Sequence, residues 1–198
     1  MKKKYFKQFE ALFSCGRIDM VFGMKYYTIY LSSMGNVLLI SDGKYLIHLG
    51  WEEKNLEDEI KKDDLPVFLK TKKWLEAYFN SKNLKMDIPL KMEGTTFQKE
   101  VWNLLLKIPY GHVATYGDLA EQIARKRNIP KMSSQAVGNA VHHNPIPIIV
   151  PCHRVIGKNK NLVGYGLGMD LKIKLLKLEG MNLQGYYFYE DKNKKFVE

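Results

Sequence analysis

Cysteine is scarce in this chain: Cys15 and Cys152 are the only two among 198 residues. So few exclude a disulfide framework and suit a reducing compartment. There is no Cys-x-x-Cys and no paired Cys/His cluster, which excludes a four-ligand structural zinc site. The expectation is therefore no metal and no cofactor. Long apolar runs are missing as well, none reaching the roughly eighteen to twenty residues that a membrane span needs. The start, Met1-Lys2-Lys3-Lys4-Tyr5-Phe6, is basic but is followed by Glu10, Arg17 and Asp19 rather than by a signal-peptide core. A cytoplasmic protein with no membrane partner is expected. Repeats and low-complexity tracts are also lacking.

What is present is a globular composition, 45% hydrophobic and 26% charged, with enough chain for one domain and a smaller second. The formal net charge of +10 is unevenly spread. Residues 1–90 carry 15 basic and 12 acidic side chains, whereas residues 91–180 carry 13 and 6. A positive field concentrated in one half favours a polyanionic partner, since each neutralised phosphate releases counterions. Surface charge kept for solubility explains the same numbers.

Residues 24–50 alternate aromatic and β-branched runs with turn residues. Tyr26 to Leu31, Val37 to Ile40 and Tyr45 to Leu49 are separated by Met34-Gly35-Asn36 and Ser41-Asp42-Gly43-Lys44. This predicts an antiparallel meander of three strands. Residues 52–64 are charged and read as a solvated helix or loop, and Leu65 to Asn80 reads as a helix packed on the sheet. The stretch Asn83 to Gly94 has no clear period and marks a domain boundary. Four segments follow: 1–23 an unassigned extension, 24–90 a scaffold domain, 91–180 a helical domain, and 181–198 a C-terminal tail.

In the helical domain Thr96 is expected to cap a helix carrying Phe97, Val101, Trp102, Leu105 and Ile108. Thr115 is expected to cap a second, and Ser133 or Ser134 a third that stops at Asn144-Pro145. The third is small-faced, with Ala136, Gly138 and Ala140. Helix, short connection and helix over 115–143 have the shape of a helix-turn-helix.

Pro145, Pro147 and Pro151 fall within seven residues and exclude helix, so Cys152 is expected on a rigid extended segment. Rigid placement suits a nucleophile. On an extended segment, though, His153 points away from the Cys152 sulfur, and a bridging water or a turn is then needed. Glu179 is available to orient and balance the imidazole, as activated nucleophiles require. Taken alone, such a cysteine is more commonly a buried small hydrophobe, and a metal ligand is disfavoured because partner ligands are missing.

The run Asn144-Pro145 through Pro151-Cys152-His153-Arg154-Val155 resembles the active-site signature of the O6-alkylguanine-DNA alkyltransferases. The likeness continues in order through Phe97-x-x-x-Val101-Trp102, Ile108-Pro109-x-Gly111, Thr115-Tyr116, Ala136-Val137-Gly138-Asn139-Ala140, Gly164-Tyr165-Gly166 and Leu175-Leu176-x-Leu178-Glu179-Gly180. It covers residues 95–180 closely and 24–90 loosely. The resemblance implies an N-terminal ribonuclease H-like antiparallel sheet with helices, then an all-α, winged-helix-like domain with a helix-turn-helix.

It also implies DNA repair by direct reversal. Cys152 accepts an alkyl group from O6-alkylguanine, and O4-alkylthymine, in double-stranded DNA, irreversibly and once per molecule. A water-bridged relay links Cys152 to His153 and Glu179. Tyr116 helps rotate the nucleotide and donates to the base, and Asn144 holds the hinge between recognition helix and active-site loop. Val155 reads the guanine amine through its carbonyl, Tyr165 and Gly166 close the pocket, and Pro147 lines it. Ser134, Gln135, Ala136, Gly138 and Asn139 face the minor groove, and Arg154 joins the DNA contacts. A monomer is implied.

Two positions depart from the family. Gln135 stands where an arginine is common, and Leu167 where a small residue is usual, so slower flipping and a narrower pocket are expected. Two other readings compete: a lesion-binding relative without catalysis, and a helix-turn-helix regulator. The presence of Cys152 counts against the first, and the lack of a sensor or dimerisation segment against the second.

Overall fold

A computed structural model describes residues 23–51, 55–82 and 85–197. The N-terminal extension with Cys15 lies outside them. The alternating stretch folds as the expected meander: β1 (Lys25–Ser32), β2 (Gly35–Ser41) and β3 (Leu46–Gly50). A two-residue loop joins β1 to β2, with Gly35 at φ 105°, where a side chain is strained. At the β2–β3 turn the Asp42 carboxylate accepts from the amides of Lys44 (3.1 Å) and Tyr45 (2.8 Å).

The charged stretch after β3 differs from expectation. Glu59–Lys61 forms β4, pairing parallel to β1, so the sheet order is β3-β2-β1-β4. Its residues carry little strand propensity; the exposed backbone edge of β1 is what recruits them.

Helix α1 (Pro66–Phe79) begins with proline at its first turn, where the missing amide is no loss. It lays Val67, Phe68, Leu75 and Tyr78 onto Val37, Leu39, Leu46 and Leu49 of the sheet. The free edge of β3 is covered by Pro89 and Lys91, which bond the Leu46 backbone at 2.8 and 3.0 Å.

Helix α2 (Thr96–Leu105) is capped one residue earlier than expected. Thr95 accepts from the Gln98 amide (3.2 Å) while the Gln98 side chain accepts from the Thr95 amide (2.8 Å). With two adjacent threonines, the glutamine three residues on selects Thr95. Thr115 does cap α3 (Tyr116–Arg127), paired with Asp118, and Ser133 caps α4 (Ser134–His142). Two-residue strands β5 (Ala114–Thr115) and β6 (Val155–Ile156) pair in parallel, bringing the start of α3 beside the Cys152 segment. Helix α5 (Met169–Leu178) and a hairpin, β7 (Tyr187–Glu190) and β8 (Asn193–Phe196), complete the chain. The hairpin is tied to the segment after β6 by Leu162 N–H donating to Tyr187 O at 2.7 Å.

Trp102 fixes the position of α4. Its indole Nε1–H donates to Ala140 O at 2.8 Å, one of the carbonyls left over at that helix end. Trp102→Phe keeps an aromatic side chain but loses part of the buried indole and strands this carbonyl. It is expected to lower stability by roughly 2 kcal/mol, read from the urea unfolding midpoint at unchanged slope.

Candidate active site

The chain leaves α4 at Asn144 and turns sharply. The Asn144 amide donates to Val150 O (2.7 Å) and its carbonyl accepts from the Ile146 amide (3.1 Å), closing the proline-rich loop on itself. From the N-terminal half, Leu49 N–H donates to Pro145 O at 3.0 Å. Buried Ile148 is forced to φ 69°, a conformation that β-branched residues avoid. Such strain costs on the order of 1–3 kcal/mol and persists only when the surroundings over-determine it.

Cys152 is not on an extended segment. Pro151 makes a tight turn, with Cys152 N–H donating to Val150 O at 2.8 Å, and Cys152–Arg154 form one turn of 3-10 helix. The prolines exclude a long helix but not this short one. The turn replaces side-chain alternation, so the expected reason for His153 facing away does not hold.

Behind Cys152 lies a buried ionic cluster. His153 Nε2 is 2.7 Å from Glu179 Oε1. Arg154 donates Nε to Oε2 at 2.9 Å, one terminal nitrogen to Oε1 at 3.0 Å and the other to Ile108 O at 2.6 Å. Gly111 N–H donates to Oε2 at 3.1 Å and the Tyr78 hydroxyl to Oε1 at 2.6 Å. His153 Nδ1 is buried with no hydrogen-bond partner. Because Nε2 faces a carboxylate, it carries the proton and leaves Nδ1 as the acceptor.

In front of Cys152 opens a cleft of about 1340 Å³. One wall is α4, presenting Ser134, Gln135, Ala136, Gly138 and Asn139. The other is the 163–167 loop, with Tyr165, Gly166 and Leu167; Tyr116, Asn144, Pro147 and Cys152 line the same cleft. The Tyr165 hydroxyl is 3.6 Å from Cys152 Sγ. His142, on the last turn of α4, stands against Gly166 so closely that a Cβ there would be 3.3 Å from its ring.

Of the expected site residues, two are placed differently. Arg154 is buried and committed to Glu179 and Ile108, so it is no DNA-surface residue; its neighbour's need for charge balance draws it inward. Val155 is not among the cleft-lining residues, and its carbonyl accepts from Lys172 Nζ at 2.7 Å. His153 and Glu179 sit behind the cleft rather than in it.

Lys172 and Tyr78 were not anticipated. Lys172 is fully buried, its ammonium bridging Val155 O and Leu162 O at 2.7 and 2.6 Å, 5.9 Å from the Tyr165 ring centre. A sequence signal exists: Lys172 lies on the inward stripe of α5 with Leu175, Leu176 and Glu179, unlike Lys174 and Lys177. Nothing in the sequence reveals where the Tyr78 hydroxyl ends.

Burial pushes the Cys152 thiol up, against hydrogen bonds from Asn144 and Tyr165 and the charge of Lys172. Burial likewise pushes His153 down, outweighing the pull of Glu179, and lowers Lys172 to about 8, with Cys152 opposing. Tyr116 is raised to about 12 by burial and by Cys152. For Glu179 burial acts upward, but the hydrogen bonds of His153 and Arg154 and the charge of Arg154 prevail and hold it at about 2. The arrangement is a resting thiol beside, in sequence, a buried histidine held towards its neutral form. Among the described residues no group of three His, Cys, Asp or Glu could hold a metal.

Comparison with known proteins gives one consistent result. Residues 96–181 match the model of the 6-O-methylguanine DNA methyltransferase DNA binding domain, and residues 25–92 that of its ribonuclease-like domain. A methylated-DNA–protein-cysteine methyltransferase of Haemophilus influenzae is 45% identical over 158 residues, 78% of this chain and 86% of that protein. One from Methanosarcina acetivorans is 44% identical over 158 residues, 78% and 98% of the two chains. Among solved structures, Mycobacterium tuberculosis OGT in complex with DNA superposes with a TM-score of 0.69 at 39% identity, covering 78% of this chain and 92% of that one.

The cluster sets an acid limit. Folding favours the ionised form of Glu179 and the neutral form of His153, so both contribute stability that is present at high pH. That of His153 is lost as pH falls below its ordinary value of 6.5, and that of Glu179 as pH falls from 4.5 towards about 2. Glu179→Gln is expected to be about 3 kcal/mol less stable at neutral pH, because it leaves Arg154 buried without its counter-charge. Its stability should then fall less steeply on acidification, as urea titrations at a series of pH values will show.

Proposed function

The chain belongs to the 6-O-methylguanine DNA methyltransferase family, and we propose that Cys152 is the acceptor of its alkyl group. The activity is that of a methylated-DNA–protein-cysteine methyltransferase, DNA repair by alkyl transfer. The observation that carries the assignment is the placement of Cys152. It lines the cleft facing α4, and the next residue, His153, pairs with Glu179 and leaves one imidazole nitrogen unpartnered.

In this reading the substrate is O6-alkylguanine in duplex DNA, and O4-alkylthymine. Its reacting carbon is hidden in the stack, so the nucleotide is turned out into the cleft at a cost of a few kcal/mol. Helix α4 lies in the minor groove, where readout is degenerate and lesions in any sequence are accessible. Gln135, exposed at its start, faces the space the base has left. A water passes the thiol proton to His153 Nδ1, and Glu179 stabilises the imidazolium that results. The thiolate attacks the alkyl carbon in line. An S–C bond forms, the C–O6 bond breaks, and the electron pair stays on the base, which takes up a proton. Tyr116 and the Gly166 amide supply donors to the base as charge develops. Asn144 holds the loop that carries the nucleophile. The thioether is not hydrolysed, so each molecule acts once.

No helix among the described residues is long and apolar enough to cross a membrane. We place the protein in the cytoplasm as a monomer.

Incubation with an O6-methylguanine duplex should add one methylene unit to the tryptic peptide bearing Cys152, seen by mass spectrometry, and nothing in Cys152→Ala. A folded protein without the adduct would refute the assignment. Gln135 generates a second expectation, because glutamine lacks the plane and charge to stack in the vacated site. Gln135→Arg should react with duplex substrate several-fold faster and with single-stranded substrate at the same rate; equal rates on both would show Gln135 to be neutral.

A further inference from the structure

Tyr78 belongs to the N-terminal sheet domain, yet its side chain ends inside the relay. Its hydroxyl donates to Glu179 Oε1 at 2.6 Å and lies 3.4 Å from His153 Nε2, which is itself 2.7 Å from the same Oε1. These three groups close a triangle with all three residues buried. Burial and the adjacent Glu179 charge keep the phenol protonated, so it acts as a donor.

The ring is not free to swing. It stacks on Trp74 with centres 5.3 Å apart and meets Phe79 and Tyr110 edge-on at 5.6 and 6.1 Å. The end of α1 is also docked on the end of α5, where Ser81 and Tyr110 hydroxyls donate to Leu178 O at 3.3 and 3.0 Å. Leu178 precedes Glu179, so the hydroxyl and the carboxylate it serves share one frame.

Glu179 is thus gripped from two directions. Gly111 holds Oε2, and the Arg154 fork spans both oxygens, each from the C-terminal half. Tyr78 holds Oε1 alone from the N-terminal half. A carboxylate released from Tyr78 is free to settle into the Arg154 fork, away from the imidazole. We propose that Tyr78 is a positioning residue for alkyl transfer: its hydroxyl pins Glu179 Oε1 against His153 Nε2 and so keeps Nδ1 as the acceptor for the Cys152 proton. This rests on the relay described under Proposed function. It gives the N-terminal domain a part in the chemistry, beyond that of a scaffold.

Tyr78→Phe in the full chain removes the hydroxyl and keeps the ring, and Tyr78→Leu removes both, separating packing from hydrogen bonding. Single-turnover methyl transfer from an O6-methylguanine duplex is followed against pH. The groups facing the imidazole are Glu179, Arg154, Lys172 and Tyr78, and of these only Tyr78 changes. At saturating DNA, Tyr78→Phe should slow transfer about tenfold, the worth of one hydrogen bond to a charged group. Half-saturation by DNA should stay unchanged, and the ascending limb of the profile, set by loss of the proton from His153, should move to lower pH as the imidazole loses the pull of Glu179. Imidazole nitrogen chemical shifts should report one His153 tautomer in the parent and a mixture in Tyr78→Phe. In a Glu179→Gln background the substitution should add nothing.

An unmoved profile in Tyr78→Phe overturns the proposal. So does equal slowing at every pH that persists in the Glu179→Gln background, which would mean packing alone. If Glu179→Gln moves the profile and Tyr78→Phe does not, only the role of Tyr78 falls. If Glu179→Gln itself leaves the profile in place, the relay falls and takes this proposal with it.

Discussion

The carboxylate of Glu179 is the constraint around which the molecule is assembled. An ionised group at 4% exposure is costly unless donors surround it. Here they come from α1 through Tyr78, from the loop after α2 through Gly111, and from the 3-10 turn through His153 and Arg154. None of these elements is near Glu179 in sequence. Satisfying the charge therefore brings the sheet domain, the helical domain and the nucleophile's turn to one point. A saturated carboxylate is also a weak base, held at about 2, so it stabilises a protonated histidine without taking the proton.

The same burial quiets the nucleophile. Cys152 at 6% exposure is pushed towards the thiol. Under the proposed mechanism its activation falls to His153 as base, and the wholly buried Lys172 adds a favourable charge. Rigidity comes from elsewhere. Asn144 laces the proline loop, Leu49 of the sheet ties it down, and the strained Ile148 shows that the loop is held against its own preference. A nucleophile placed this way spends little on ordering when substrate arrives.

Much of this was readable from the residues. The meander followed from alternation and turn chemistry, and the helices from caps and apolar spacing, both local signals. A long ordered pattern pointed to Cys152, His153, Glu179, Tyr116 and the α4 residues, and the fold gathers Cys152, Tyr116 and α4 around one cleft and pairs His153 with Glu179. What escaped was non-local. Residues 59–61 are a strand only because β1 offers an edge, and Cys152–Arg154 a 3-10 turn only because Pro151 bends the chain. Arg154 looked like a surface cation until Glu179 claimed it. Tyr78, 101 residues from Glu179, is an ordinary inward aromatic on its helix until the two halves meet.

Moving Arg154 indoors changes how DNA attraction must arise. Helix α4 carries no lysine or arginine, and its exposed side chains at the cleft are Ser134, Gln135, Asn139 and His142. Nor is the basic end of α3 wholly available, since Arg125 pairs with Glu121, and Lys126 and Arg127 with Glu100. Those pairs are exposed on the basic side and contribute little by themselves, so phosphates compete for the cations at small cost. Long-range attraction is then left to the excess charge of residues 91–180, while the cleft-lining α4 stays small and free of lysine and arginine. Separating the two suits a protein that must approach any duplex and discriminate only at the base. It also makes Gln135 a position of consequence under the proposed mechanism, in which it faces the gap that a departing nucleotide leaves.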